Sequence, residues 1–364
     1  MSKLLLHECH QNLGGRFITV NGAEAVNDYG DWQAEHAALR AQAGLVDLSF
    51  RSRLCVIGGD RIRFLHGQVT NDVKKLKAGE GCYAAVTNAK GKMESDLNIY
   101  RLDDELLLDF EPGLTTKILQ RLEKYIVADD VQIVDASPHY SLLSIWGPKA
   151  EQAILLQEWA GRDAIAPLQS PFAIVKLSTA AHGEVYVAKQ ARPANRFDLF
   201  IPNTTADAVA AQLLGAVNSM GGRACGWRAI ETLRIEAGVP RFGVDMDETN
   251  IPIECGIEAV SYTKGCYIGQ EILNRIHTIG HVNKELRGFR LPAEIDGLPS
   301  RGDKLFSSGR EVGFITSAVD SPALQMKLAL GYVRREVGQI GNHLQLQMAS
   351  SQHQVKIVPL PFSS

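Results

Sequence analysis

Neither sign of charge dominates this sequence. Its 364 residues carry 38 Lys and Arg against 41 Asp and Glu, a formal net charge of −3. Proteins that hold nucleic acid or an acidic membrane through bulk charge carry a clear basic excess. The balance excludes that mode of binding, and we expect no direct nucleic-acid partner.

Cysteines are few and scattered, with no C-x-x-C pair among the six. They are Cys9, Cys55, Cys82, Cys225, Cys255 and Cys266. A secreted disulfide scaffold packs its cysteines far more densely into a shorter chain. We interpret these residues as reduced thiols, which indicates a cytoplasmic protein.

Long apolar runs are also missing. No stretch approaches the length of about 20 residues that spans a bilayer. The N-terminus has only a short apolar run, residues 4–6, before His7 and Glu8, which is unlike a secretory signal peptide. We therefore expect no membrane partner.

Several common motifs are absent from the sequence, including G-x-x-x-x-G-K-[ST], G-x-G-x-x-G and G-x-S-x-G. Cys255, Cys266, His277 and His281 follow one another, but residues 256–265 separate the two cysteines. A structural zinc knuckle spaces its cysteines by about two to four residues. We therefore predict no metal site, and no protease signature around Cys266 supports a Cys–His nucleophile.

Short strands alternate with helices in an order that repeats. Residues 54–134 are predicted to run β-α-β-β-β-α-β, and residues 140–220 follow the same order up to a second long helix. Hairpins between the strands favour an α+β fold over a doubly wound parallel sheet. We predict two related α/β subdomains within residues 1–282, with helices at 32–43 and 227–237.

A change of pattern follows residue 282. Short strands separated by Pro and Gly indicate a small all-β barrel of ordinary domain size in residues 283–364. The preceding segment, residues 239–282, is polar and rich in turn residues. Long segments of this kind inside a compact protein are usually functional.

The most unusual stretch is residues 261–271, which reads S-Y-T-K-G-C-Y-I-G-Q-E. A helix is predicted to begin near Gly269, which places Cys266 just ahead of a helix N-terminus and two residues from Lys264. Both features favour the reactive thiolate, so Cys266 and Lys264 are candidate catalytic residues. The alternative is an inert cysteine packed in a loop.

Residues 264–271 resemble the signature K-G-C-Y-x-G-Q-E of the YgfZ family of folate-binding proteins, and the resemblance extends over about residues 34–358. That family is related to the glycine-cleavage T-protein, an aminomethyltransferase, and to iron–sulfur assembly factors. The resemblance implies a T-protein-like region of two subdomains plus a barrel. It also implies binding of tetrahydrofolate or a one-carbon-substituted folate.

The implied role is support of iron–sulfur cluster assembly or repair, with iron–sulfur proteins or their assembly machinery as partners and an indirect effect on tRNA modification. Two alternatives remain open. One is a folate-dependent aminomethyltransferase or methyltransferase, and the other is a thiol-based iron–sulfur or metal carrier.

The resemblance also suggests cofactor-binding residues. Residues 88–97 resemble the family's N-x-x-G-x-x-x-D-D-L, with Asn88 at its start, Ser95 in place of the first acid and Asp96 as the second. The family implies a role in aminomethyl transfer for that first acid, so Ser95 predicts negligible glycine-cleavage activity. Asp198 corresponds to a pterin-binding carboxylate, and Arg234 to an arginine that faces the folate.

Tyr267 and Gln270 of the signature complete the predicted cofactor-binding set. Other aromatic residues that could line a folate pocket are Trp227, Tyr262 and Phe197, although core packing is the commoner use of such side chains. The alternatives for the charged residues are ordinary strand-end carboxylates for Asp96 and Asp198 and a surface ion pair for Arg234.

Overall fold

A computed structural model describes residues 3–190, 192–349 and 351–363. The chain opens with elements that the sequence patterns did not predict, apart from one helix. They are α1 (His7–Asn12), β1 (Arg16–Val20), β2 (Ala23–Asp28), α2 (Trp32–Ala41) and β3 (Gly44–Asp47). Helix α2 is the predicted one, and Asp31 caps it by accepting from the Ala34 amide at 3.0 Å.

The first subdomain is a five-stranded antiparallel sheet covered by two helices. Its elements are β4 (Ser52–Ile57), α3 (Arg61–Gln68), β5 (Gly81–Thr87), β6 (Met93–Arg101), β7 (Glu105–Phe110), α4 (Thr115–Glu123) and β8 (Gln132–Asp135). The strand order is β5-β6-β7-β4-β8. Apolar side chains of α3 and α4, including Phe64, Leu65, Ile118 and Leu122, are buried in one core cluster with the sheet.

The second subdomain repeats this plan. Its elements are β9 (Tyr140–Trp146), α5 (Ala150–Leu155), α6 (Arg162–Ile165), β10 (Ile174–Thr179), β11 (Gly183–Gln190), β12 (Arg196–Pro202), α7 (Ala206–Ser219) and β13 (Arg223–Ala224). The order β10-β11-β12-β9-β3-β13 matches that of the first sheet, with β3 inserted before the last strand. The shared strand order agrees with the repeat seen in the sequence.

The two sheets face each other across a shared core. Tyr100 of β6 and Phe200 of β12 meet edge to face, with ring centroids 6.0 Å apart. Helix α8 (Trp227–Glu236) packs into the same core through Ile230 and Leu233. The predicted end of this helix near Gly238 lies within two residues of the observed one.

The remaining elements are α9 (Gln270–Ile279), followed by a closed barrel of six strands. The strands are β14 (Lys284–Arg290), β15 (Lys304–Ser307), β16 (Arg310–Ser321), β17 (Met326–Arg334), β18 (His343–Gln347) and β19 (Gln352–Val358). They close in the order β14-β17-β16-β15-β18-β19, because β14 pairs with both β17 and β19. The predicted fold class, two related α/β subdomains and a small β-barrel, is confirmed.

The barrel shares a core with the rest of the chain. Leu286, Val319 and Tyr332 of the barrel are buried in one cluster with Met93 of β6 and Ile235 of α8. Among the described residues, no helix combines the length and the apolar character needed to cross a bilayer.

Candidate functional site

A cavity of about 360 Å³ lies where both subdomain sheets meet α8. The first sheet contributes Tyr83, Asp96 and Asn98, and the second contributes Trp146 and Arg196. Helix α8 and the segment after it contribute Trp227, Ile230, Glu231, Arg234 and Arg241. The wall therefore combines aromatic rings with charges of both signs.

Asp96 is the carboxyl group that β6 turns toward this cavity. Along β6, Ser95, Leu97 and Ile99 are buried on one side of the sheet, while Asp96 and Asn98 between them face the other side. The Tyr83 hydroxyl donates to Asp96 Oδ2 at 2.6 Å. Burial raises the pKa of Asp96 to about 6, with a further increase from Glu111, although the bond from Tyr83 and the charge of Arg51 oppose the shift.

Tyr83 is a fixed donor to this carboxyl group. Its own pKa is raised well above the usual value, by burial first and by the adjacent Asp96 second, so the hydroxyl keeps its proton at neutral pH. The sequence pattern could have indicated that Tyr83 lies on the same face of the sheet as Asp96. In a hairpin that pairs Ala85 with Asp96 and Tyr83 with Asn98, all four side chains lie on one face.

Ser95 lies on the opposite face of β6 from Asp96. Its side chain is fully buried, is absent from the cavity wall, and donates to the Asp96 carbonyl oxygen at 3.0 Å. Successive side chains of a strand point to opposite faces, so an acid at position 95 would not enter the cavity either. Ser95 therefore does not leave the cavity short of a carboxylate, and its position gives no structural ground for the predicted loss of glycine-cleavage activity.

Arg234 lines the cavity from the last turn of α8. Its guanidinium forms ion pairs with Asp245 and Glu231, and Nη2 also donates to the Ser317 hydroxyl at 2.9 Å. Burial lowers the pKa of Arg234, but the two carboxylates outweigh burial and raise it, so the side chain is a permanent cation.

Asp198 does not line the cavity. Its carboxylate is almost fully buried and accepts from the Ser144 hydroxyl at 2.5 Å and from Arg196 Nη2 at 3.2 Å. Arg196 is two residues earlier on the same strand and does line the cavity, with its guanidinium 4.7 Å from the centre of the Trp146 ring. The charged group that β12 presents to the cavity is therefore the guanidinium of Arg196.

The aromatic side chains of the cavity wall are Tyr83, Trp146, Phe172 and Trp227, and only the last of these was predicted. Trp227 lines the cavity as predicted, and the Arg241 guanidinium stacks 4.8 Å from its ring centre. Phe197 is buried in the core of the second subdomain. Tyr262 stacks on His277, with ring centroids 3.6 Å apart, and does not line the cavity.

Lys264 is buried away from the cavity and anchors the signature loop. Its amino group donates to the carbonyl oxygens of His66, Val69 and Asn71 at 2.5, 2.7 and 2.9 Å. These carbonyls belong to the last turn of α3 and to the residues just after it, so the amine joins the loop to the first subdomain. Burial lowers the pKa of Lys264 to about 8, partly offset by Asp72, and the three donors of the charged form are all used.

The other residues of the signature have separate positions. Cys266 is exposed, whereas Tyr267 is buried beside Leu273 and Val282. Gln270 Nε2 donates to the carbonyl oxygens of Lys264 and Gly265, both at 3.4 Å, which closes the loop at the start of α9. Neither Cys266 nor its neighbours Tyr267 and Gln270 line the cavity.

Asn88 belongs to the same structural unit as this loop. Its side chain accepts from the amides of Lys90 and Lys92 and so shapes the turn between β5 and β6. Beside this turn, the Thr87 hydroxyl donates to the Ile268 carbonyl oxygen at 2.6 Å. The predicted site residues thus fall into three groups. Asp96 and Arg234 line the cavity, and Asp198 is buried on β12 outside its wall. The signature residues with Asn88 form a loop–hairpin contact away from the cavity.

Within the described ranges, no group of three or more His, Cys, Asp and Glu side chains is arranged to hold a metal ion.

Two subdomains of the same strand order, a C-terminal barrel and a charged cavity between them define a protein of the aminomethyltransferase fold. A crystal structure of glycine cleavage system aminomethyltransferase T from Bartonella henselae superposes with a TM-score of 0.85 at 24% sequence identity, covering 100% of this chain and 98% of that one. The likeness to this structure shows the fold.

The chain belongs to the glycine cleavage T-protein family. Residues 6–264 match the GCVT N-terminal domain, and residues 284–363 match the glycine cleavage T-protein C-terminal barrel domain. Similar proteins include the aminomethyltransferase of Geobacillus thermodenitrificans, 30% identical over 98% of this chain and 97% of that protein. The aminomethyltransferase of Rubrobacter xylanophilus is 31% identical over 98% and 93%.

Proposed function

We propose that the cavity binds tetrahydrofolate or a one-carbon-substituted tetrahydrofolate, and that the protein transfers an aminomethyl or methyl group to or from it. The observation that carries this proposal is the Asp96 carboxyl group, which faces the cavity beside Tyr83 with a pKa near 6. A group of this pKa exchanges a proton near neutral pH, which acid–base catalysis requires.

The residues present suit a folate. The rings of Trp146 and Trp227, with the guanidinium groups of Arg196 and Arg241 stacked on them, give the cavity flat surfaces against which a ring system can pack. The Nε–H groups of Arg196 and Arg234 are buried and have no acceptor among the described residues. They can donate to the oxygen and nitrogen acceptors of a pterin or to the carboxylates of its glutamate tail.

In this proposal each side chain has a defined task. The folate carries the one-carbon unit, and Arg196 and Arg234 bind the folate. Asp96 takes or returns a proton at its Oδ atoms. Tyr83, which remains protonated, fixes the carboxyl group by its hydrogen bond. The names of the relatives support transfer chemistry, because both similar proteins described above are aminomethyltransferases.

Two assays test this function. Calorimetry with 5-formyltetrahydrofolate, a stable reduced folate, is expected to show one site per chain. A reconstituted glycine-cleavage assay is expected to show turnover that Asp96→Asn lowers by about a hundredfold or more. Absence of folate binding would remove the proposal, whereas binding without turnover would leave an accessory protein.

That accessory role is our second candidate: a YgfZ-type cytoplasmic protein that supports iron–sulfur cluster assembly. Its support is the exposed thiol of Cys266, held outside the cavity by the buried Lys264 anchor. In a deletion strain, Cys266→Ser is then expected to fail in restoring iron–sulfur enzyme activity while binding folate normally. Full complementation by Cys266→Ser would argue against this role and against a thiol-based carrier.

A further inference from the structure

The barrel contacts the cavity residue Arg234 directly through Ser317 and indirectly through a buried carboxylate, Asp245. This residue follows α8, and its side chain is almost fully buried. Asp245 Oδ2 pairs with Arg234 Nη1 and accepts from the Arg241 amide at 3.1 Å. Asp245 Oδ1 accepts from the Thr316 hydroxyl at 2.5 Å and from the Ser317 hydroxyl at 2.7 Å, and both hydroxyls belong to β16.

A bulge in β16 makes this double contact possible. Ile315 pairs with Gly331 and Ser317 with Leu330, so Thr316 is the extra residue of the bulged strand. In a regular strand Thr316 and Ser317 would point to opposite faces. Because the bulge re-aims the extra side chain, two consecutive hydroxyls reach the same carboxylate oxygen.

The contacts of Arg234 leave one of its N–H donors without an acceptor among the described residues. A guanidinium has five N–H groups. Nη1 donates to Asp245 and to the Val239 carbonyl oxygen, and Nη2 donates to Glu231 and Ser317. The Nε–H is the one group with no acceptor in the part of the chain that the structure describes. Four bonds therefore fix the plane of a guanidinium that lines the cavity and keeps one N–H unused.

We propose that Thr316 and Ser317 of the barrel are positioning residues for the ligand: through Asp245, and for Ser317 also directly, they hold Arg234 at the orientation that binds folate. This proposal rests on the proposed folate site. It assigns the barrel a part in binding although neither residue is part of the cavity wall. Removing either hydroxyl frees a lone pair of Asp245 and lets the carboxylate and the guanidinium reorient.

Strand β16 offers a matched control. Ser321 is also fully buried and also contacts α8, where its hydroxyl donates to Glu236. Glu236 is not in the cavity wall, so Ser321→Ala removes a comparable bond between the barrel and α8 that does not involve Arg234. Thr316→Val removes the hydroxyl at nearly constant shape, and Thr316→Ser restores it.

The experiment measures the affinity of the full chain for 5-formyltetrahydrofolate by calorimetry, below the unfolding temperature of every variant. Ser317→Ala and Thr316→Val are expected to weaken binding about fivefold or more, since hydrogen bonds to charged groups are the strong ones. Ser321→Ala and Thr316→Ser are expected to stay within about twofold of the wild type. Equal affinity in all four variants overturns the proposal.

A second readout needs no ligand. In protein with ¹⁵N-labelled arginine, the Nε–H resonance of Arg234 is assigned by its loss in Arg234→Lys. Ser317→Ala and Thr316→Val are expected to shift this resonance, and Ser321→Ala to leave it in place. If the wild type does not bind the folate, the proposed function fails, but an unshifted resonance alone still refutes the positioning role and a shifted one still supports it.

Discussion

At the scale of single residues, the cavity is governed by which charges find partners. Arg234 is held by Asp245 and Glu231, and the carboxylate of Asp198 is held by Arg196. Buried charges are tolerated in a protein only when they are paired or hydrogen-bonded. Asp96 is the cavity acid whose pKa is raised toward neutrality, because burial disfavours its charged form and its hydrogen-bond partner Tyr83 carries no compensating charge.

Asp96 should make stability depend on pH in a defined window. Its folded-state pKa of about 6 exceeds the ordinary value of 3.8, so the folded protein holds the proton more tightly than the unfolded chain does. The stabilisation that this proton provides is fully present below pH 3.8 and is lost as the pH rises through 6. Asp96→Asn removes this loss. Between pH 4 and pH 7 the free energy of unfolding of the variant should therefore rise by on the order of 2 kcal/mol relative to that of the wild type.

Urea unfolding of both proteins at several pH values measures this difference. A difference that stays constant from pH 4 to pH 7 would contradict a raised pKa for Asp96. Tyr83→Phe removes the hydrogen bond that favours the charged carboxylate and so raises the pKa of Asp96 further. In that variant the pH-dependent loss of stability should extend to higher pH.

At the scale of elements, the docking of α9 depends on a glycine. Gly269 precedes the helix with φ of +89°, in the left-handed region. A Cβ there would come within 2.6 Å of the Asn88 carbonyl oxygen and 2.8 Å of the Thr87 hydroxyl. The first turn of α9 can therefore approach the β5–β6 turn only if residue 269 has no side chain.

Gly269→Ala is expected to lower the free energy of unfolding by about 3 kcal/mol, from left-handed strain and from overpacking together. Gly22 is a suitable control, because its φ is +85° and a Cβ added there would have nothing within 4 Å. Gly22→Ala should cost only the backbone strain, about 1 kcal/mol. Equal losses in the two variants would show that α9 does not need this close approach.

At the scale of the whole molecule, the barrel and the two subdomains depend on each other. Ile235 and Met246 share a buried cluster with Leu328 and Tyr332 of the barrel, and Ser321 bonds to Glu236. Removal of the barrel would expose these apolar side chains and deprive the buried carboxylates of Asp245 and Glu236 of the hydroxyl donors that the barrel supplies. The boundary between residues 282 and 283 is therefore predicted to separate two domains in sequence that are not independent in stability.

A fragment of residues 1–282 is expected to unfold at lower temperature than the full chain and to bind a hydrophobic dye before its main transition. The control is the full chain carrying a protease site near residue 282, measured before and after cleavage, since a nick breaks the backbone but keeps the barrel docked. A fragment as stable as the nicked protein would show that the shared core contributes little.

The sequence by itself determined what depends on local pattern. Apolar spacing and turn residues placed α2, α8 and α9 within a few residues, and the repeated element order predicted the two subdomains. The alternation of β6 also determined that Asp96 and Ser95 face opposite sides. The first strands, β1 to β3, were not predicted, because segments of only four to six residues carry little periodic signal.

Only the tertiary structure decided which side chains meet. Lys264 donates to carbonyl oxygens 193 to 198 residues earlier in the chain, not to its neighbour Cys266, because the packing of the loop against α3 places those acceptors around its amine. In the same way, Arg234 meets Ser317 across 83 residues. Local periodicity states which face of an element is buried. The contents of the cavity depend on how sheets, helix and barrel pack together, and no single stretch of sequence carries that information.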